Sequence, residues 1–116
     1  DVIKVSSEIQ VRELFYKYAE KLGFKILESR TRFPDYILMG KSGIIYRAEV
    51  EYDLANFIKH KHDPRKVDFI IYWIDSLKDI PEWYVEKFGC PLLLGSLINL
   101  KVELVKMGVI KHDYKA

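Results

Sequence analysis

Three acidic residues lie in a short segment that otherwise reads as two apolar strands joined by a glycine-containing turn. The segment is RFPDYILMGKSGIIYRAEVEY, residues 32–52, and its acids are Asp35, Glu49 and Glu51. Strands are depleted of carboxylates, which are costly to bury, so a neighbouring group must compensate for them. Hard oxygen ligands at this spacing suit Mg²⁺ or Mn²⁺, and such ions commonly serve phosphoryl transfer. The pattern therefore predicts a divalent metal site that acts on a phosphate ester.

The acidic strand is expected to present two carboxylates on one face. Side chains alternate along a strand, which groups Glu49 and Glu51 with Arg47 and leaves an apolar set on the other face. With a rise of ~3.3 Å per residue, the two carboxylates lie about 7 Å apart. Their repulsion at an effective dielectric of ~20 is roughly 2–3 kcal/mol, which requires either water or a cation at this face. Arg47 either neutralises the face or forms a surface ion pair.

The position of Asp35 depends on the register of the hairpin. Symmetric closure about Lys41 and Ser42 places Asp35 opposite residue 48, one position away from Glu49. A one-residue bulge near Pro34 would instead align Asp35 and Glu49 on one face. The sequence leaves the register open, but in both cases the two backbones are neighbours and their carboxylates can converge on one ion.

The first predicted helix carries a further acid. The helix begins at Ser6 or Ser7 and ends at Gly23, a residue that tolerates the left-handed conformation. Glu8 precedes Phe15 by seven residues, nearly two turns, and therefore shares its inward direction. Glu8 is either an additional metal ligand or a first-turn acid that interacts favourably with the helix dipole.

A basic segment, KHKHDPRK at residues 59–66, follows the acidic strand. It holds four Lys or Arg and two His against one Asp. Such a cluster often marks phosphate contact, although a solvated basic loop fits equally well. His60 and His62 form an H-x-H pair, but no third ligand at zinc spacing accompanies them. For His60 we expect phosphate contact, an accessory catalytic role or a surface position.

Length and composition set the class of protein. A chain of 116 residues with 49% hydrophobic residues and a net charge of +2 predicts a single globular domain, residues 1–116. No apolar run approaches the ~18–20 residues that span a bilayer, and no signal peptide is recognisable at the N-terminus. One cysteine, Cys90, excludes an internal disulfide and fits a reducing interior, so we expect a cytoplasmic protein without membrane contact.

The elements that must position these residues alternate in type. We expect strands at FKILESR, PDYILM, IIYRAEVE, VDFIIYWI and PLLL, and helices at about 7–22, 54–61, 81–88 and 96–107. Ser96 is expected to cap the last helix.

VDFIIYWI is apolar on both faces, as a central covered strand would be. The strand–helix–strand order that ends in it implies a parallel crossover. The order α-β-β-β-α-β-α-β-α predicts an α/β fold with a mixed sheet flanked by helices. Trp73 and Trp83 are expected in the core.

The motif PD at 34–35, followed after a hairpin by EVE at 49–51, resembles the PD-(D/E)xK nuclease superfamily. The order of elements over residues 6–74 is similar to its restriction-endonuclease-like core. The first fifty residues look most like small archaeal Holliday-junction resolvases, and HxHDP resembles other prokaryotic or viral members. The resemblance implies a DNA endonuclease of repair or recombination whose Mg²⁺ or Mn²⁺ is held by Asp35 and Glu49. Glu8 and the carbonyl of Val50 would assist, and no organic cofactor is implied.

One position departs from the motif of that superfamily, because its usual lysine is replaced by Glu51. The superfamily tolerates acidic residues there and can relocate the lysine onto the following helix, where Lys59 and His60 are candidates. The implied catalytic set is Asp35, Glu49, Glu51, Lys59 and His60. The departure also leaves room for a DNA-binding module that has lost hydrolysis, and for a protein-interaction subunit that does not bind nucleic acid.

Seven residues are expected to contact DNA: Arg30, Arg32, Lys59, Lys61, His62, Arg65 and Lys66. The chain is too short for a separate sequence-reading domain, which makes a branched DNA substrate plausible. Two-fold symmetric DNA would suit a homodimer.

Overall fold

A five-stranded mixed sheet with helices packed on both faces forms the centre of the computed structural model, which describes residues 4–89 and 97–111. The elements in chain order are α1 (Glu8–Leu22), β1 (Phe24–Ser29), β2 (Tyr36–Gly40), β3 (Ile45–Asp53), α2 (Leu54–Lys59), β4 (Phe69–Ile74), α3 (Glu82–Phe88), β5 (Leu97–Asn99) and α4 (Leu100–Lys106). The strands lie in sequence order, with β1–β2 and β2–β3 antiparallel and β3–β4 and β4–β5 parallel. The predicted α/β class, with a mixed sheet flanked by helices, is confirmed, as is the order of elements from α1 to α3.

The first helix forms where its local signals predict it. The Ser7 side chain accepts a hydrogen bond from the Gln10 N–H, and Gly23 ends the helix with a φ of 98°. The face that packs against the sheet carries Val11 and Phe15, both fully buried. This packing fixes the N-terminal turn of α1, including Glu8, beside the middle of the sheet.

Strand β4 separates two hydrophobic cores, as its apolar sequence predicts. Ile71 and Trp73 pack with α1 and α4, whereas Ile70 packs with α2 and α3 on the opposite face. The expected burial of Trp73 is confirmed, with 4% of its surface exposed. The same expectation is wrong for Trp83, which is 43% exposed because the inward position of α3 is taken by Tyr84.

The register of the β2–β3 hairpin differs by one residue from symmetric closure. Tyr36 pairs with Ala48, which brings Asp35 alongside Glu49. The cause lies in the turn and not in a bulge near Pro34. The Gly40 N–H donates to the Ile44 carbonyl, and Gly43 takes a φ of 85°, so the loop contains three residues and ends in a left-handed position that glycine adopts without strain.

The predicted parallel crossover connects β3 to β4 through α2. Asp53, at the end of β3, caps α2 by accepting a hydrogen bond of 3.0 Å from the Ala55 N–H. The helix ends at Lys59, and a 3-10 turn at Pro64–Lys66 leads into β4. The helix therefore runs back over the face of the sheet on which Glu49 and Glu51 lie.

The start of the last helix is corrected by the structure. Residues 97–99 form β5 on the edge of the sheet, and Asn99 caps α4 by accepting a hydrogen bond of 3.1 Å from the Val102 N–H. A helix that starts at Ser96 is therefore wrong, because pairing with β4 holds the next three residues extended. The predicted PLLL strand, Cys90 and Ser96 itself lie outside the described residues. Within the described ranges, no helix has the length and apolar character needed to cross a bilayer.

Candidate metal centre

Glu51 is the most unusual side chain of the sheet. It lies on the central strand β3, is fully buried, and neither of its carboxylate oxygens has a hydrogen-bond partner among the described residues. An unpaired buried carboxylate is costly, and proteins normally respond by keeping it neutral. Burial, and then the negative charges of Glu49 and Glu8, raise the pKa of Glu51 to about 9. A divalent cation would supply the charge that this carboxylate lacks.

Glu49 and Asp35 adjoin Glu51 as the hairpin pattern predicts. The Asp35 N–H donates a hydrogen bond of 2.9 Å to Glu49 Oε1, and the Val50 N–H donates one of 3.0 Å to Asp35 Oδ2. Both carboxylates are buried, with 5% and 7% of their surfaces exposed. Burial raises the pKa of Glu49, and this effect is only partly offset by a hydrogen bond with His62.

Asp35 is also neutralised by Arg12, which sequence reasoning missed. Arg12 Nη1 lies 2.8 Å from Asp35 Oδ1, and Arg12 Nη2 donates to the Arg30 carbonyl over 3.3 Å. The guanidinium also packs over the ring of Tyr36, 5.0 Å from its centroid. Both Asp35 oxygens are therefore engaged, one by an arginine and one by a backbone amide. The only indication of this contact in the sequence was that Arg12 follows Glu8 by one helical turn.

Two histidines approach the free carboxylate from the end of α2. His60 Nδ1 and His62 Nε2 each lie 3.9 Å from Glu51 Oε2, and His62 Nε2 lies 3.3 Å from Glu49 Oε2. The third donor that the H-x-H pair lacks at zinc spacing in the sequence could be Glu51, nine residues before His60. The spacing of nine residues does not reveal that Glu51 and His60 are close, because α2 turns the chain back over β3.

The backbone at the end of α2 directs both histidines. The Lys61 N–H donates to the Ile58 carbonyl and the His62 N–H to the Phe57 carbonyl, the pair of bonds that defines a Schellman helix end. Lys61 occupies the left-handed position of this motif with a φ of 58°, where glycine is the usual residue. The lysine therefore sits in a strained conformation between two histidines that point at the same carboxylate.

Aromatic packing holds His62 in place. Its ring stacks on Phe33 with centroids 4.2 Å apart and an interplanar angle of 4°, and lies 5.2 Å from the ring of Phe57. Tyr84 fixes the backbone by donating a hydrogen bond of 2.7 Å to the His62 carbonyl. His60 is less constrained, since 55% of its side chain is exposed. One histidine is thus positioned firmly, and the other borders solvent.

The donor atoms of Glu51, His60 and His62 have a spacing that fits a bound cation. One atom from each residue lies within 4.8 Å of the other two. Ligands about 2.1 Å from a common ion lie about 3.0–3.4 Å apart, so modest side-chain rotations would bring these atoms into coordination. At 3.9 Å the histidine nitrogens are too far from Glu51 for hydrogen bonds. The residues present therefore fit a divalent metal ion.

The other predicted site residues lie around this centre. Val50 is fully buried, and the role predicted for its carbonyl stays a prediction. Lys59 is exposed and contributes to lowering the pKa of Asp53, and no ion pair joins it to the site carboxylates in the described part of the chain. Arg47 forms a surface ion pair with Asp68, 3.2 Å apart, which decides between its two expected roles.

The predicted DNA contacts other than His62 divide into two groups. Arg32, Lys59, Lys61 and Lys66 are exposed, and Lys59 and Lys61 flank His60 in the sequence. Arg65 pairs with Asp63 at 3.0 Å, and the half-buried Arg30 lies 3.6 Å from Glu28. The charges of the first group are therefore exposed to solvent and carry no ion pair with the site carboxylates in the part of the chain that the structure describes.

Comparison with known proteins adds no relative. The chain matches no protein-family model, no curated protein and no solved structure. The functional conclusion therefore rests on the geometry of the site and on the sequence motif.

Proposed function

We propose that this protein is a metal-dependent nuclease with a restriction-endonuclease-like core, which hydrolyses phosphodiester bonds in DNA. The observation that carries the proposal is Glu51, a fully buried carboxylate on the central strand whose two oxygens have no partner among the described residues. Its acidic neighbours increase the need for a cation, and the exposed lysines near it suit a polyanionic substrate.

The metal would be held by Glu51 with His60 and His62, and Glu49 would adjoin it. Such an ion stabilises charge that develops on the phosphate and lowers the pKa of a water molecule. Asp35 has a positioning role in this account. It ties β2 to β3 through the Val50 N–H and anchors Arg12 at the edge of the carboxylate cluster.

The superfamily motif normally has a lysine at the position of Glu51. In this protein Arg12 provides the positive charge that such a lysine would supply. Burial lowers its pKa, but the adjacent Asp35 more than compensates, so the pKa of Arg12 is raised and the side chain stays charged. Three contacts hold the guanidinium, and it remains partly accessible, with 25% of the side chain exposed. It is therefore placed to attract a phosphate toward the cluster.

Cleavage of plasmid, flap and four-way-junction DNA, each with Mg²⁺ or Mn²⁺, tests the proposal. Wild-type protein should cut at least one substrate, and Glu51→Gln should reduce the rate at least about 100-fold because a ligand worth several kcal/mol of transition-state stabilisation is lost. Glu13→Gln, an exposed acid of α1, is the matched control and should retain activity.

Two results would contradict the proposal, the first its nuclease function and the second its assignment of Glu51. DNA binding without any cut product would favour the alternative, a DNA-binding module of the same architecture. Cleavage that survives Glu51→Gln unchanged would exclude this carboxylate from the reaction. The expected preference for branched DNA and the homodimer stay predictions, which the same substrates and a measurement of mass in solution will decide.

A further inference from the structure

The carboxylate that lacks any hydrogen-bond partner among the described residues is not the one that the sequence motif favours. Each Asp35 oxygen already accepts one bond, from Arg12 at 2.8 Å and from the Val50 N–H at 3.0 Å. Glu51 has both oxygens available and lies 3.9 Å from two imidazole nitrogens. An ion bound here therefore meets nitrogen donors as well as oxygen donors.

Mixed nitrogen and oxygen donors change which ion is preferred. Mg²⁺ favours oxygen ligands and retains several waters, whereas imidazole suits transition-metal ions such as Mn²⁺, Fe²⁺ and Zn²⁺. A set of two histidines and one carboxylate with open positions is one that such ions commonly occupy. We infer that Glu51, His60 and His62 form a transition-metal site that selects against Mg²⁺.

The surroundings of the histidines agree with a role as ligands. The stack of His62 on Phe33 and its packing against Phe57 restrict rotation of the ring and hold Nε2 beside Glu49 and Glu51. Lys61 accepts a left-handed backbone between the two histidines, and strain of this kind clusters at functional sites. Neither imidazole is within hydrogen-bond distance of Glu51, and His62 Nε2 lies between the two carboxylates, 3.3 Å from Glu49 Oε2 and 3.9 Å from Glu51 Oε2.

Two measurements on the full chain test this inference, with Mn²⁺, Zn²⁺ and Mg²⁺ as probes. Calorimetric titration should show that Mn²⁺ and Zn²⁺ bind at least about 100-fold more tightly than Mg²⁺. Electron spin echo spectra of the Mn²⁺-loaded protein should show coupling to imidazole ¹⁴N. His60→Ala should weaken Mn²⁺ binding at least about tenfold and leave the weak Mg²⁺ binding unchanged, because only the transition metal uses the nitrogen ligand.

The variants separate ligand loss from unfolding. His60 is more than half exposed, so His60→Ala is expected to fold, whereas His62→Ala removes a packed ring. Glu13→Gln, at an exposed position of α1, is the control and should leave both the affinity and the ¹⁴N coupling unchanged. Bound Mn²⁺ without nitrogen coupling, or equal affinities for Mn²⁺ and Mg²⁺, would overturn the inference.

This inference rests on the proposed function only in placing the ion at the same carboxylates. Selective Mn²⁺ binding with nitrogen coupling but without DNA cleavage would leave the metal site in place and reject the nuclease. DNA cleavage that is supported by Mg²⁺, with no nitrogen coupling, would keep the nuclease and reject the transition-metal site.

Discussion

The Glu51 carboxylate is buried and has no hydrogen-bond partner among the described residues. It can therefore bind a cation, and it destabilises the metal-free protein. The side chain lies on the middle strand of the sheet, where water cannot solvate its charge. In the absence of a cation the folded protein keeps Glu51 protonated, because its pKa is raised to about 9 by burial and by Glu49 and Glu8. Folding is then coupled to proton uptake, and metal binding to proton release.

The stability of the metal-free protein should therefore depend on pH through Glu51. An unfolded glutamate has a pKa of about 4.3, so between that value and about 9 the unfolded chain releases a proton that the folded chain retains. The contribution of Glu51 lowers the free energy of unfolding as pH rises across this window. Glu51→Gln removes the effect and should raise the melting temperature at pH 8 by several degrees, with little change at pH 5.

Thermal denaturation in a chelating buffer at a series of pH values measures this difference. Glu13→Gln serves as the control and should follow the wild-type curve. Adding Mn²⁺ should stabilise the wild type and not Glu51→Gln, since an ion that binds only the folded state shifts the unfolding equilibrium. Parallel curves for the wild type and Glu51→Gln across the whole pH range would contradict the account.

At the scale of elements, a six-residue helix determines where the histidines lie. Asp53 starts α2 with a side-chain cap, and the Schellman bonds at Lys61 and His62 end it. The sequence allowed the start to be predicted, because an aspartate cap is recognisable. The predicted end at residue 61 was two residues too late, because a lysine stands where such motifs normally show glycine.

Replacements of Lys61 test whether this helix end positions the metal ligands. Lys61→Gly should increase the free energy of unfolding by up to about 1 kcal/mol, because glycine relieves left-handed strain of about 1–2 kcal/mol but gains entropy in the unfolded chain. Lys61→Val should lower both stability and Mn²⁺ affinity, because a β-branched residue resists this conformation. Lys61→Ala keeps a Cβ and should resemble the wild type in stability.

Chemical denaturation and calorimetric titration of these variants provide the two readouts. A Lys61→Val protein that loses stability but binds Mn²⁺ as tightly as the wild type would show that the helix end does not hold the ligands in place.

The hairpin illustrates what local sequence can and cannot specify. The two strands and the glycine turn were predicted, and so was the nearness of Asp35 to Glu49. The exact register depended on whether the turn holds two or three residues, and Gly43 in a left-handed conformation decided it. The start of α4 was missed for a similar reason, because sheet pairing at 97–99 is a tertiary interaction that a serine cap cannot reveal.

At the scale of the whole molecule, the site lies at the sheet, between the two hydrophobic cores that pack on its opposite faces. The strand β3 contributes carboxylates, α1 contributes Glu8 and Arg12, and α2 contributes the histidines from the opposite side of the sheet. Hydrophobic patterns were enough to predict β1 to β4 and the helices α1 to α3, but not β5 or the start of α4. They could not show that Arg12 reaches Asp35, nor that Glu51 lies beside the H-x-H pair, since both contacts join residues that lie on different elements.

The central claim is that one cation is shared by Glu51, His60 and His62. The most direct measurement is a crystal structure of the protein grown with Mn²⁺, with anomalous diffraction recorded on both sides of the manganese absorption edge. We expect a single strong peak about 2.1–2.3 Å from Glu51 and both imidazole nitrogens, with Arg12 still paired to Asp35. A peak between Asp35 and Glu49 with the histidines turned away, or no peak beside Glu51, would contradict the account.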